Sequence, residues 1–515
     1  MNRVILISAL AVILTLPKIS WSQINLPGTL DSTFGVNGKV MTAFNSNACI
    51  ARAVAVQSDG KIIVAGESSN GTNNLFAIAR YNSNGTLDNQ FGTGGKTTIS
   101  FGSGNSVARA IGIQSNGYIV VAGSYQTPTQ TNFAVARLTN IGQPDATFGS
   151  GGKTQTSIVP GFNIAYAMAI QPNDEKIILA GVSFDTLNNG DFALVRYNPN
   201  GSIDPYFANG GKVRTSLGTT WDQIHTIMLD QGTRKIVVGG RTANSYALAR
   251  YDTAGFLDQT FGFNGISTYT LFTQSEIINS MYIDANHRII AGGSSQVATN
   301  MDVVVMRFLS NGSIDNSFGV NGVSLNDLGG IELLSAIAPQ DEYIVGAGSI
   351  TNGGVSDFMV MRLDTLGTMD GLYNGSGFNT TSFPGNSGVS ALAVQPSNSY
   401  LVAAGFYASG AVNNYAVARY TSVLTFTGVN DNLSSTDNVQ IYPNPAISII
   451  RIQSDAGFDK ISISDLTGKI VNETTYTERT RTVDIDISKL SKGIYLVSTQ
   501  KDGVVSADQK FVIAK

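Results

Sequence analysis

Cysteine and histidine are almost missing from this chain: Cys49 stands alone, and His225 and His287 are the only histidines among 515 residues. A disulfide scaffold and a zinc cluster built on Cys and His are excluded. Charge is thin as well, at 13% of residues with a formal net charge of -4. Disorder driven by charge, a long solvated helix and a coiled coil are therefore excluded, and no basic surface is available for nucleic acid. No G-x-S-x-G elbow, P-loop or H-E-x-x-H occurs, so no catalytic residue, cofactor or metal is expected. Glycine, with 56 residues, and apolar side chains, at 42%, fill the space instead.

Residues 1–22 have the layout of a signal peptide. Arg3 gives a positive start, residues 4–16 form an apolar run broken only by Ser8 and Thr15, and Pro17 ends it. Ser20 and Ser22 are the small residues expected before a signal-peptidase cut. The run falls short of the about 20 apolar residues that a membrane span needs, and no later stretch approaches that length. An exported mature chain starting near Gln23, with no transmembrane segment, is expected.

The sequence then repeats itself. GTLDSTFGVNGKV at Gly28 returns at Gly85, Gly142, Gly201, Gly255 and Gly312 with small changes, and degenerates to GTMDGLYNGSGFN at Gly367. Its aspartates are Asp31, Asp88, Asp145, Asp204, Asp258, Asp315 and Asp370, spaced by 54 to 59 residues. A fixed period of this size signals a propeller or a solenoid. Each unit splits into four short runs rich in Val, Ile, Phe and Tyr, separated by Gly, Asn and Asp turns. In the first unit these are residues 53–57, 61–66, 75–81 and 96–101. Both alternating faces are apolar, as in sheets stacked face to face. Four strands in each of seven units fit a seven-bladed β-propeller, with an open β-solenoid as the structural alternative.

The phrases LD-x-x-FG-x-x-G, A-V-Q-x-D-G-K-I-x-V-A-G and A-x-A-R-Y resemble the delta-60 repeat of bacterial exported proteins, over roughly residues 28–423. The resemblance implies a β-propeller and brings no catalytic residues with it.

Arginines recur in the third strand. Arg80, Arg137, Arg196, Arg250, Arg307 and Arg362 each stand eight residues before the next repeat aspartate, from Asp88 to Asp370. An unpaired charge facing a neighbouring blade would be costly, so a repeated Arg–Asp bridge is expected. Arg419 has Thr427 at that distance, and Asp31 has no arginine before it. Residues 30–44 are therefore expected to supply the outer strand of the last blade, pairing Asp31 with Arg419, closing the ring and removing the two sheet edges that would otherwise be exposed.

Charge density rises from about 11% before residue 431 to about 25% after it, a composition shift of the kind that marks a domain boundary. Residues 429–438 form a polar linker between a propeller at 23–428 and a tail at 439–515, where alternating apolar residues predict a small β-sandwich. Tyr442-Pro443-Asn444-Pro445, the D-L-x-G-K phrase ending at Gly468 and Lys469, and the K-G-I-Y-L-V phrase holding Gly493 and Tyr495 resemble the C-terminal sorting domain of type IX secretion cargo. That resemblance implies the type IX machinery as partner and export across the outer membrane of a Gram-negative bacterium. It also implies removal of the tail after about residue 430, with release or attachment at the cell surface. An autonomous binding module is the alternative.

Ligand chemistry is sought where the repeats differ. Aligning the first strands leaves one position occupied by Arg52, Arg109, Tyr166, His225, Asn279, Ser335 and Ser390. If the first strand is innermost, these side chains ring one mouth of the channel, and the first five are the candidate ligand-binding residues. A solvated strand end is the competing account. His287 fits a simple hairpin turn. Asn82, Asn84 and Asp88 suggest a calcium loop, but Asn and Gly are also what tight turns require and no Glu closes the loop. The expectation is a monomeric binding or scaffold protein that is secreted or held at the cell surface and meets an extracellular protein or glycan. A carbohydrate-active lyase or hydrolase using the channel mouth is the alternative.

Overall fold

The computed structural model describes residues 23–513 apart from 219–220, 244, 273–275, 298–299, 424, 428–438, 466–468 and 503. The signal-peptide and linker expectations, and Gly468, lie outside the described residues. The chain separates into two compact units, Leu26–Leu424 and a second comprising Met1–Asn25 with Thr425–Lys515. The described residues are all-β with no helix, so none contains a helix long and apolar enough to cross a membrane.

Leu26–Leu424 is a β-propeller of repeated antiparallel sheets. Seven four-stranded sheets are present among the described residues. In six of them the strands follow chain order, as in Cys49–Val56, Ile62–Ser69, Asn74–Tyr81 and Lys96–Ile99. The seventh takes three strands from the end of the unit and one from its start. Ser387–Val394, Leu401–Ser409 and Val412–Tyr420 are completed by Lys39–Thr42, with Lys39 opposite Ala418 and Thr42 opposite Tyr415.

Second and third strands are buried on both faces, which is why their sequences are nearly continuous apolar runs and not alternating ones. A separate apolar cluster fills each junction between adjacent sheets. One of them joins Val402, Ala404, Tyr415 and Val417 of the last sheet to Ile62, Val64, Ala77 and Ala79 of the first. Each junction also carries the same polar staple. The third-strand arginine bonds its repeat aspartate, lies over the Phe or Tyr three residues after that aspartate, and donates to a turn carbonyl of the next repeat, as Arg196 does to Asp204, Phe207 and Thr253. Arg419 makes the same three contacts with Asp31, Phe34 and the Ser83 carbonyl.

The tail forms one five-stranded, sandwich-like sheet around its own core, which includes Ile450, Ile461, Ile463, Val497 and Phe511. Its apolar alternation predicts a small sandwich, and two of its five strands, Ile449–Asp465 and Ile470–Asp486, run on for 17 residues each. These two long strands pair with each other along most of their length, so Gly457 bends the chain without ending the strand.

Candidate functional site

Every first strand of the propeller carries a β-bulge at the same place. The register slips between Ala51 and Ala53, between Ala108 and Ala110, between Ala165 and Ala167, and likewise in the other four sheets. The skipped residues are Arg52, Arg109, Tyr166, His225, Asn279, Ser335 and Ser390. A bulge leaves its extra residue outside the hydrogen-bonded pairs and re-aims the side chain. All seven are half-buried and line one cavity of about 580 Å³.

The repeat glycine of the second strand makes room for the bulge. A Cβ at Gly66, Gly123, Gly181, Gly240, Gly293, Gly348 or Gly405 would overlap a first-strand carbonyl oxygen two residues before the bulge residue, for example that of Ile164 below Tyr166. The phrase V-A-G thus has a steric reason at its last position.

Arg109, Tyr166 and His225 form a continuous wall, and Arg52 stands on the preceding sheet. Arg52 pairs with buried Glu67 at 2.5 Å, and Glu67 also accepts from Asn74. Arg109 donates to Ser124 Oγ at 2.6 Å and lies over the Tyr166 ring, 5.4 Å from its centroid. Tyr166 in turn stacks on His225 at 4.8 Å and 25°. Asn279 donates to the Leu334 carbonyl at 2.8 Å, which leaves it less free to meet a ligand.

Charge is unevenly distributed along this wall. Glu67 answers Arg52, but among the described residues Arg109 forms no ion pair with a carboxylate. Burial and the positive Arg52 both pull its acidity constant below the ordinary arginine value. Burial, with Arg241 nearby, pushes His225 down to about 4, so the imidazole is neutral at neutral pH. Its Nε2 is buried without a hydrogen-bond partner, and among the described residues no carboxylate orients the ring. Arg241 lies over Trp221 and donates to Gln223.

Glu67, Ser124 and Arg241 are partners that the sequence analysis missed. All three follow the second-strand glycine, at a position that varies from sheet to sheet and would have been found by the comparison that singled out the first-strand ring. His287 also does more than turn the chain. Its Nδ1 meets Asp230 of the preceding sheet's hairpin at 2.7 Å. In the turn considered for calcium, Asn84 Oδ1 accepts from Thr86 N and Oγ1, while Asp88 is taken by Arg80 and Lys61. Smaller cavities lined by Arg196, Arg307 and Arg419 recur at equivalent junctions and are products of the repeat.

In the tail, Asn444 is locked to the last strand, accepting from Val512 N at 2.9 Å and donating to the Lys510 carbonyl at 3.2 Å. Tyr495 is buried and donates to the Ser491 carbonyl. Tyr442, Pro443, Pro445, Ile447 and Ile449 border an apolar groove of about 520 Å³.

Comparison with known proteins agrees with this division. Residues 440–514 match the secretion system C-terminal sorting domain. Residues 57–91, 114–148, 173–207, 231–261 and 286–318 match a domain of unknown function (DUF5122) described as a beta-propeller. The tail match supports a secreted or cell-surface location and implies contact with the secretion machinery. No curated protein matches the chain in sequence. Among solved structures, a catalytically inactive virginiamycin B lyase from Staphylococcus aureus with quinupristin is similar at 11% identity and TM-score 0.43, over 74% of this chain and 98% of that one. Sqt1 from Chaetomium thermophilum is similar at 10% identity and TM-score 0.39, over 73% and 96%. The periplasmic gluconolactonase of Pseudomonas aeruginosa is similar at 12% identity and TM-score 0.28, over 65% and 96%.

Proposed function

We propose that this chain is an exported, monomeric seven-bladed propeller, closed by its N-terminal segment, that binds an anionic or sugar-like ligand at the channel mouth, on an extracellular protein or glycan. The observation that carries the reading is the bulge ring, which aims the variable residue of every repeat into one cavity. Arg109, which forms no ion pair with a carboxylate among the described residues, supplies a positive charge, and the stacked faces of Tyr166 and His225 supply a flat surface of the kind on which sugar rings pack. Binding fits this wall better than acid–base chemistry. A general base works best with a pKa near the operating pH, and His225 sits far below it with no orienting carboxylate. The tail delivers the propeller to the secretion machinery and is then removed.

A glycan and protein binding screen on the purified chain is the test. For any ligand found, replacing Arg109 with alanine is expected to weaken binding at least about tenfold, with the Tm measured alongside to show that the variant is folded; Arg52 is kept, because its loss would leave the buried Glu67 carboxylate unpaired. Unchanged affinity would return the ring to a solvated strand end. Deleting residues 438–515 is expected to leave a folded propeller in the periplasm.

A further inference from the structure

The repeats act as internal controls for one another, and one junction breaks their rule. At four junctions the third-strand residue five places before the arginine meets a residue of the loop after the fourth strand. At three of them this pair is neutral or has one acid bonded by a hydroxyl. Ser245 bonds Thr270 at 2.7 Å, and Ser382 donates to Asp357 at 2.9 Å. Between the third and fourth sheets Asp191 is met by Ser216, and Arg214 adds a cation 2.7 Å from its carboxylate.

Between the fifth and sixth sheets both members of the pair are acids, Asp302 and Asp327. Glu332, at the start of the next first strand, is a third. Single oxygens of the three carboxylates lie within 4.8 Å of one another. Arg214's place is taken by Leu325, since Arg214 lies opposite Ala193 and Leu325 opposite Val304 in the same register. Asp302 is buried and Glu332 is fully buried. Glu332 Oε1 accepts from Gly330 N, the loop-bonding role that Glu276 Oε1 plays one junction earlier toward Leu271 N. Its Oε2 is buried with no hydrogen-bond partner, as Glu276 Oε2 is, but here two further carboxylates, Asp302 and Asp327, stand beside it. Three clustered carboxylates with no cationic side chain among them are costly to hold in a protein interior.

We infer that Asp302, Asp327 and Glu332 together bind one divalent cation of the calcium type. Carboxylate oxygens are hard ligands that suit Ca2+, Mg2+ or Mn2+. Two oxygens on one Ca2+, each at about 2.3–2.6 Å, are separated by at most about 5 Å. The three oxygens lie within 4.8 Å of one another, a set of three carboxylates that the flexible coordination of Ca2+ accommodates. Mg2+ demands near-ideal octahedral placement and is usually held by one or two carboxylates. The ion ties the fifth sheet, through its third strand and following loop, to the first strand of the sixth. Three protein carboxylates, with solvent able to reach exposed Asp327, place the affinity in the weak range of extracellular modules, about 10⁻⁴–10⁻³ M.

The test is calcium titration of the purified, chelator-treated full chain, followed by calorimetry and thermal unfolding, with Mg2+ as a second arm. The wild type is expected to bind one Ca2+ saturably and more tightly than Mg2+. Its Tm should rise by about 2 °C at tenfold excess over the dissociation constant. Asp327→Ser restores the acid–hydroxyl pair of the other junctions, so it should fold and bind Ca2+ at least about tenfold more weakly. Leu325→Arg installs the cation of the third junction. Its Tm in chelator should equal or exceed that of the Ca2+-loaded wild type and should not respond to added Ca2+. No saturable binding by the wild type up to about 10 mM Ca2+, undiminished binding by Asp327→Ser, or a calcium response of Leu325→Arg equal to that of the wild type would each overturn the assignment.

Discussion

Arg419 and Asp31 stand 388 positions apart in the chain and form an ion pair of 2.6 Å between side chains that are each less than a tenth exposed. The bond repeats, across the two ends of the propeller, what Arg80 makes with Asp88 within one repeat. Around it Gly28 N donates to the Thr421 carbonyl, Asp31 N donates to the Arg419 carbonyl, and Gly28 packs so closely on Tyr373 that a Cβ would overlap the ring.

Asp31→Ala is expected to lower the unfolding free energy by about 3 kcal/mol or less, because it leaves a buried guanidinium with only neutral partners. Deleting residues 28–44 should cost far more, since the last sheet then loses a strand and exposes an edge. Denaturant unfolding of both variants measures this. A deletion variant as stable as the wild type would disprove closure by this segment.

Acid should unfold the propeller through these same carboxylates. Burial raises the acidity constants of Asp31, Asp88, Asp145, Asp204, Asp258 and Asp315, but hydrogen bonds and the neighbouring Arg or Lys charges outweigh it and hold all six below the ordinary aspartate value. A carboxyl whose folded value is depressed contributes stability that is present above its unfolded value, about 3.9, and is lost as pH falls through the folded value. The contribution of these groups should hold constant down to about pH 5 and then fall steeply below about pH 4. Tm measured against pH tests this, and Asp31→Ala should show a shallower acid limb than the wild type.

The bulge ring depends on a glycine that faces no ligand. Gly181→Ala is expected to destabilise by about 1–3 kcal/mol, the usual range for forcing atoms into a packed interior. The Ile164 carbonyl must move to admit the methyl group, and Tyr166, two residues on, should move with it. Thermal unfolding and the near-ultraviolet dichroism of the tyrosines report the two effects. A variant as stable as the wild type would mean that the bulge is not sterically tied to the glycine.

His225 should titrate near pH 4 by proton NMR of its ring, well below the ordinary histidine value of about 6.5. Because the depressed group is a base, its protonation favours unfolding. Its contribution is therefore neutral above about pH 6.5 and turns destabilising as pH falls towards 4. Any ligand bound at the mouth should show no change in affinity between about pH 5.5 and 8 that depends on His225. A midpoint near 6.5 would mean that the ring is solvated.

The sequence by itself determined the repeat, the four strands in each unit, the Arg–Asp partners and the change of character at the tail. All of these are set by local periodicity and by spacing that recurs along the chain. Even the unpaired members Arg419 and Asp31 could be matched, because a repeat with one partner missing at each end points to its own closure. The ring of variable residues could be aligned from sequence, but its direction could not be known. Only the paired strands show that Arg52, Tyr166 and His225 are bulge residues, because a bulge is a mismatch between two strands and has no signature in either one alone. The same holds for Glu67, Ser124 and Arg241, which come from a different strand from the residues they serve. It holds most strongly for Asp302, Asp327 and Glu332. They look like ordinary turn and strand acids in sequence, and they differ from their counterparts only when three elements of two sheets meet and no arginine stands between them.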